Sequence, residues 1–233
     1  MSDSLKIRTL TDDDLDFADT VRGLAGWNQL PGDWLRLLRH DPEGCFIAEW
    51  NGQPAGTATT TTYSNDLAWI GMVIVHPDMR RRGIGNALLE HCIAHLQDNG
   101  VNCIKLDATP VGKTVYDQLG FKDEWSLARW ETEGLKIGAA VTDTNPFDIA
   151  QIENFDAESF GINRERMLKA LTAQSQTSVQ RSADKLIEGY GMLRPGRNAS
   201  YLGPIVADSE VAGRTIVNSL LAMGEGRRVF WDI

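Results

Sequence analysis

The sequence predicts an α/β protein made of two related domains, and three observations carry that prediction. Strand-like and helix-like stretches alternate through the first 134 residues. One junction among them joins a strand to a helix through a turn of arginines and glycines. A strand, turn, helix and strand then return in the same order in the second half. With 233 residues, 42% of them hydrophobic, the chain can fill one large core or two small ones.

The elements follow from local pattern. Lys6 to Leu10 reads as a first strand, and Asp12, Asp13 and Asp14 supply cap and first-turn carboxylates for a helix to about Arg22. A second helix is predicted near Asp33 to Arg39. Cys45 to Trp50 is a strand that stops at Asn51-Gly52, a hairpin signal, and Ala55 to Tyr63 returns from it. Leu67 to Val75 is a further strand, closed by Pro77, which lacks an amide hydrogen. Between Gly83 and Gln97, Ile84, Leu88, Leu89, Ile93 and Leu96 recur at helical spacing until Asn99-Gly100. Val101 to Leu106 is a strand, a short helix runs to about Leu119, and Phe121 to Trp130 is strand material. Thr132 to Lys136, with Gly134, is the predicted linker, giving domains at 1–134 and 135–233.

The second domain repeats the first in register. Trp69-Ile70-Gly71 precedes Tyr201-Leu202-Gly203 by 132 residues, and Leu88-Leu89 precedes Leu220-Leu221 by the same interval. Ile104 to Asp107 matches Val229 to Asp232 at 125, as if one loop were shorter. Order kept across three elements argues for duplication. The second copy reads as incomplete, because its last strand, Arg228 to Ile233, would leave an edge unpaired.

Charge narrows the function. The formal net charge is -9, and residues 1–134 carry most of it, with 20 acidic against 12 basic side chains. A nucleic-acid binder needs the opposite balance. No apolar run reaches the roughly 18 residues of a membrane span, and Met1-Ser2-Asp3-Ser4 does not open a secretory signal, so a cytoplasmic protein without membrane partners is expected. Cys45, Cys92 and Cys103 read as buried thiols in a reducing compartment. His91 and His95 share the i,i+4 spacing of metal ligands but have no matching acidic motif, so no metal is expected.

The chemistry concentrates at Met72 to Asn86. A strand meets the basic turn Arg80-Arg81-Arg82-Gly83, and Ile84, Gly85 and Asn86 open the helix. Free amide hydrogens at a helix N-terminus suit phosphate oxygens, and glycines let the backbone approach a pyrophosphate. The arginines add charge-assisted contacts, although all three need not point inward. The spacing is neither that of a dinucleotide fingerprint nor that of a P-loop.

Arg80, Gly83 and Gly85 match Arg/Gln-x-x-Gly-x-Gly/Ala, the signature that the segment resembles in the GNAT acetyltransferase superfamily. Val75-His76-Pro77, Ala87-Leu88-Leu89 and Val115 to Phe121 add to the resemblance, which runs from about Lys6 to Trp130. Ala25-Gly26-Trp27-Asn28, Ala68 to Gly71 and Leu106 to Pro110 are similar to a bacterial two-domain subgroup with a degenerate second domain. The resemblance implies tandem GNAT-like mixed-sheet domains and acetyl-coenzyme A as acyl donor. It implies that the strand through Val73, Ile74 and Val75 splays from its neighbour and offers backbone groups to pantetheine, while Arg81 through Asn86 wrap the pyrophosphate. In the second domain Asp208 and Glu210 replace the basic turn and would repel a pyrophosphate.

The resemblance also places Tyr116 at the tyrosine that protonates the departing thiolate. Its structural alternative is a packed ring. Asp107 ends a strand beside the proposed cleft and is a candidate base through water, or else a cap for the Thr109 to Gly112 loop. Glu49, Asp66 and His76 are other bases to weigh, and an amine that arrives neutral needs none. Thr109, where many GNAT enzymes have asparagine, can contact the cofactor through its hydroxyl, and Lys113 can pair with a phosphate or remain solvated. Trp27, Trp34 and Tyr63 lie in segments that border an acceptor cleft or anchor a core. The acidic first domain favours a cationic acceptor. The reading is therefore an N-acetyltransferase for a small-molecule amine, with a protein amine open. Its alternative is a noncatalytic acetyl-coenzyme A sensor or a protein-interaction module.

Overall fold

The computed structural model describes residues 4–110, 112–133, 149–224 and 226–233, which divide into two compact units, Met1–Glu124 and Trp125–Ile233. The first unit runs β1 (Leu5–Thr9), α1 (Leu15–Leu24), α2 (Pro31–His40), β2 (Cys45–Trp50), β3 (Gln53–Ser64), β4 (Leu67–Val75), α3 (Ile84–Asp98), β5 (Ile104–Leu106) and α4 (Lys113–Gln118). Its strands lie side by side in chain order, antiparallel except for the parallel pair β4–β5. The predicted hairpin forms, with Asn51 at φ 51° and Gly52 at φ 78°. Asp12 to Asp14 form a 3₁₀ turn of their own ahead of α1. The amide of Leu30 donates to Asp33 at 2.6 Å, fixing the entry to α2 behind Pro31.

Two apolar clusters sandwich this sheet. One face presents Phe46, Ala48, Ala68 and Ile70 to the Ile84, Leu88, Cys92 and Leu96 stripe of α3. The other presents Cys45, Ile47, Met72 and Ile74 to Val21 and Trp34 of α1 and α2. Residues of one parity on β4 therefore change faces between Ile70 and Met72. The cause is a bulge: Thr57 pairs with Ile74 but Thr59 with Gly71, and Met72 has φ 50°. Beyond it Val73 and Val75 turn toward α3. Cys45 and Cys92 are buried as expected, but Cys103 is exposed.

The second unit contains β6 (Arg129–Glu133), α5 (Ile149–Phe160), α6 (Glu165–Thr172), β7 (Gln176–Arg181), β8 (Ile187–Arg194), β9 (Ser200–Ala207), α7 (Glu210–Met223) and β10 (Arg228–Asp232). The order across its sheet is β6-β10-β9-β8-β7, parallel only at β9–β10. This corrects the sequence reading at one place. Residues 121–128 form no strand, and Arg129–Glu133 pairs with β10 rather than extending the first sheet. The division accordingly falls at Glu124/Trp125 instead of residue 134, and Thr132 and Glu133 belong to a strand instead of a linker. Gly134 lies outside the described residues. The edge of β10 expected to be unpaired is taken by β6, and two carboxylate–arginine pairs, Arg129–Asp232 and Arg228–Glu131, reinforce the contact at 2.7 Å each.

The two units repeat each other closely. Ala68 pairs with Ile104 in the first and Ser200 with Val229 in the second, so β4 and β9 are equivalent at an offset of 132. The bulge recurs, with a register shift between Gly191 and Leu193 on β8 opposite Gly203. A Cβ on Gly56 would approach Leu88 of α3 to 3.3 Å and the Ile74 carbonyl to 2.9 Å. A Cβ on Gly189 would meet Ile216 of α7 and the Val206 carbonyl, both at 2.8 Å. Leu88 and Ile216 are thus the equivalent helix residues, 128 apart, and the Leu88-Leu89 match to Leu220-Leu221 is displaced by one helical turn. Four residues are missing from the second turn: His76 to Gly83 separates Val75 from the buried Ile84, whereas Asp208 to Val211 separates Ala207 from the buried Ala212. Gly56→Ala and Gly189→Ala should each destabilise the protein by about 1–3 kcal/mol, because each added Cβ presses on a carbonyl of the neighbouring strand as well as on a helix side chain. Urea unfolding of the two variants measures this.

Candidate active site

The site is built where β4 outruns its neighbour. Only Ala68, Trp69 and Ile70 pair with β5, which ends at Leu106, and β4 continues five residues to Val75. Val73, Ile74 and Val75 line that departure, opposite Thr57 and Gly56 on β3. The Thr57 hydroxyl donates to the Met72 carbonyl at 2.9 Å and pins the bulge from inside.

From Val75 the chain turns through Pro77–Met79 into α3. His76 accepts the Asp78 amide on Nδ1 at 3.3 Å, so it stabilises the turn. The three arginines are arranged differently from one another. Arg80 Nε donates to the Val75 carbonyl at 3.3 Å and ties the turn to the strand. Arg82 stacks over Trp50, 5.4 Å from the ring centroid, a contact that local sequence gave no sign of. Arg81 sits at φ 62°, and all three are exposed.

Gly83 is the N-cap of α3 at φ 79°. It offers no side-chain cap, and the first turn of α3 has no acidic residue. The amides of Ile84, Gly85 and Asn86 stand at that open end, as the first amides of any α-helix lack an intrahelical acceptor. Gly85 lies against Val75, where a Cβ would come 3.7 Å from Cγ2. The equivalent end of α7 is closed: Ser209 accepts the Ala212 amide at 3.2 Å, and Glu210 occupies the first turn. A helix dipole that can attract an anion in the first unit is already satisfied in the second.

Tyr116 is held on α4 with its ring edge toward Phe121, centroids 6.2 Å apart. Gly112 makes room for it, since a Cβ there would come within 2.8 Å of the ring and hydroxyl. Burial pushes the phenol above its ordinary pKa of 10.0, so it stays protonated at neutral pH. Among the described residues its hydroxyl makes no hydrogen bond.

The remaining candidates have structural partners. Thr109 accepts the Gly112 amide on both its carbonyl and its hydroxyl, so Thr109 forms the cap that Asp107 was weighed for. Asp107 instead accepts the Trp69 indole at 3.2 Å. The equivalent pair in the second unit, Tyr201 and Asp232, makes the same contact at 3.2 Å. Lys113 bridges Asp117 at 3.1 Å and Asp123 at 2.8 Å, and these carboxylates raise its pKa. Glu49 pairs with Arg8, and Asp66 accepts from Asn102. Trp34 is a core anchor at 1% exposure. His91 and His95 pack edge-on against Phe46, and the described residues hold no cluster that could bind a metal. No described helix is long and apolar enough to cross a membrane.

Residues 10–121 match the model of the acetyltransferase (GNAT) family, and residues 152–233 match a second acetyltransferase (GNAT) domain model. The chain belongs to the GNAT acetyltransferase family. It is an acyltransferase, and enzymes of this family use acetyl-coenzyme A as donor. Its relatives include YitH of Bacillus subtilis, an N-acetyltransferase described as uncharacterised, 28% identical over 88% of this chain and 73% of the relative. A holothin acyltransferase from a Pseudoalteromonas species is 23% identical over 88% of this chain and 71% of its own. A solved Pyrococcus horikoshii protein shares the fold with a TM-score of 0.80 at 24% identity, covering 97% of this chain and 79% of that one. The two mixed-sheet units are thus tandem GNAT folds.

Proposed function

We propose that the first unit is an N-acetyltransferase for a small-molecule amine and that the second is a degenerate copy without a coenzyme site. The observation that carries this reading is the contrast between the two strand–helix junctions. The α3 end is open, has glycines at Gly83 and Gly85 and carries three arginines, whereas the α7 turn is four residues shorter, capped and acidic. The pyrophosphate is assigned to the backbone from Arg81 to Asn86, with Arg80 bracing the turn. The free length of β4 from Val73 to Val75 is assigned to the pantetheine amides.

In the reaction the amine nitrogen bonds to the acyl carbon as the carbon–sulfur bond breaks. Tyr116 gives its phenolic proton to the sulfur, and the proton lost by the amine restores the phenol through water. The reading assigns no base. Asp107 engages Trp69 just as Asp232 engages Tyr201 in the unit that lacks a phosphate turn, which supports a structural role for both. Lys113 is already engaged by the two carboxylates of Asp117 and Asp123, so phosphate binding is assigned without Lys113.

Thiol release from acetyl-coenzyme A, measured against polyamines, amino acids and lysine peptides, tests the proposal. We expect release above the hydrolysis background with a small cationic amine. Tight coenzyme binding without transfer to any amine in the panel would establish the sensor reading instead, and transfer confined to the lysine peptides would move the acceptor to protein.

A further inference from the structure

Five threonines stand on β3, at 57 and at 59 to 62. Three of their hydroxyls are used inside the fold: Thr57 donates to the Met72 carbonyl, and Thr60 and Thr62 donate to Asp41. The other two, Thr59 at 1% exposure and Thr61 at 7%, have no hydrogen-bond partner among the described residues. A buried hydroxyl left unpaired is destabilising, so two kept on one strand call for an explanation.

Both face the side of the sheet away from α3, since Ala58 between Thr57 and Thr59 packs toward that helix. Thr59 pairs with Cys45 on β2, which packs against α1 and α2, and with Gly71 on β4. Gly71 stands one residue past the last β4–β5 pair, Ile70–Leu106, and so lies at the fork where the two strands part. A Cβ on Gly71 would have the Thr59 hydroxyl at 3.6 Å and, chain neighbours apart, no other described atom within 4 Å. The space over the fork is therefore open on this side, with the hydroxyl at its wall.

The second unit fills the same place. Thr60–Ile70 and Leu193–Leu202 are equivalent pairs, which sets Met192 at the position of Thr59, Arg194 at that of Thr61 and Gly203 at that of Gly71. Neither replacement carries a hydroxyl. Met192 is fully buried, and a Cβ on Gly203 would meet the Tyr201 ring at 3.1 Å. Arg194 lies over that ring, 4.6 Å from its centroid. The unit whose helix end is capped and acidic has thus also lost the free hydroxyls and the open space.

Resting on the acetyltransferase reading, we propose that the Thr59 hydroxyl receives the attacking amine. Val73 and Val75 turn toward α3, and the open end of that helix takes the pyrophosphate, so the coenzyme occupies the α3 side of the fork. The nucleophile then reaches the acyl carbon from the other side. There it crosses Gly71, where no side chain stands in its way. Its N–H donates to Thr59 Oγ1 while the nitrogen lone pair faces the acyl carbon. The hydroxyl gains and loses no proton in this step. Thr61, opposite Trp69 on the same face, offers a second acceptor on the way in. A neutral oxygen suits the position, because a carboxylate there would favour the ammonium form, whose lone pair cannot attack.

Thiol release with spermidine, glycine and a lysine peptide, followed for the full chain and three variants, tests this, with acetyl-coenzyme A affinity measured by calorimetry alongside. With any acceptor that supports release in the wild type, Thr59→Val should lower kcat/KM for the amine by about 3-fold to 10-fold, the worth of one neutral hydrogen bond. Thr59→Ser should recover most of that loss, since it keeps the oxygen and drops only a methyl group. Gly71→Ala puts a methyl group in the path and should cost about 100-fold. Coenzyme affinity should stay native in all three. Thr59→Val matching or exceeding Thr59→Ser would make this a packing residue and overturn the proposal. Native kcat/KM in Gly71→Ala would do the same, as would weaker coenzyme binding in Thr59→Val, which puts the hydroxyl on the donor side. If Gly71→Ala does not fold, the order of the valine and serine variants decides alone. Wild-type release with none of the three amines defeats the acetyltransferase reading and this proposal together, whereas release that the variants leave unchanged defeats this proposal only.

Discussion

Gly83→Asp is expected to abolish measurable acetyl-coenzyme A binding by calorimetry, a loss of at least about 100-fold, while the protein stays folded. Two effects combine. The backbone at Gly83 has φ 79°, where an ordinary side chain costs roughly 1–2 kcal/mol. The new carboxylate would also stand at the open end of α3, the position assigned to the pyrophosphate, and repel it. No atom lies within 4 Å of a Cβ at Gly83, so the fold itself does not collide with the substitution. Gly83→Asn separates the causes, because asparagine tolerates the left-handed conformation and adds no charge. It should lose no more than about tenfold, the equivalent of 1.4 kcal/mol. Native affinity in a folded Gly83→Asp protein would remove the pyrophosphate from this turn.

Tyr116→Phe is expected to lower turnover by about 100-fold to 10,000-fold, the usual worth of a general acid, with little change in coenzyme affinity. The ring keeps its contact with Phe121 and its place over Gly112, so only the hydroxyl is lost. The pH dependence carries an independent sign. Burial raises the phenol above 10.0, so an acid role holds through neutral pH and fails only in a limb above that value. Tyr116→Phe should remove that limb as well as the rate. Single-turnover acetyl transfer at native speed would exclude the residue as acid.

The framework of the candidate site was legible because it depends on contiguous residues. β2 and β4 have the predicted bounds, the Asn51-Gly52 hairpin forms, and the strand, arginine turn and helix adjoin in one stretch. What escaped prediction depends on partners distant in sequence. Nothing local in Arg129–Glu133 distinguishes the end of one sheet from the edge of another; that identity comes from β10, about 100 residues later. The helix offset was misjudged because leucine pairs recur with the turn of a helix, so a displacement of four residues keeps the apolar stripe in phase. Side-chain roles were equally hidden. Trp50 lies 32 residues before Arg82, and Lys113 meets Asp123 only because the chain doubles back after α4.

The pairing of β6 with β10 also sets a timetable for folding. In the first unit every strand finds its neighbour within about 45 residues, from β1 to β2 or from β4 to β5. In the second, Arg129 and Asp232 stand 103 residues apart, and β6 has no other strand beside it among the described residues. The entropy of closing so long a loop must be met before that contact contributes anything. On a ribosome the first unit can complete its sheet while β10 is still unmade. β6 must wait through synthesis of nearly the whole second unit, with Trp130 and the strand's unbonded amides exposed to chaperones and to other nascent chains.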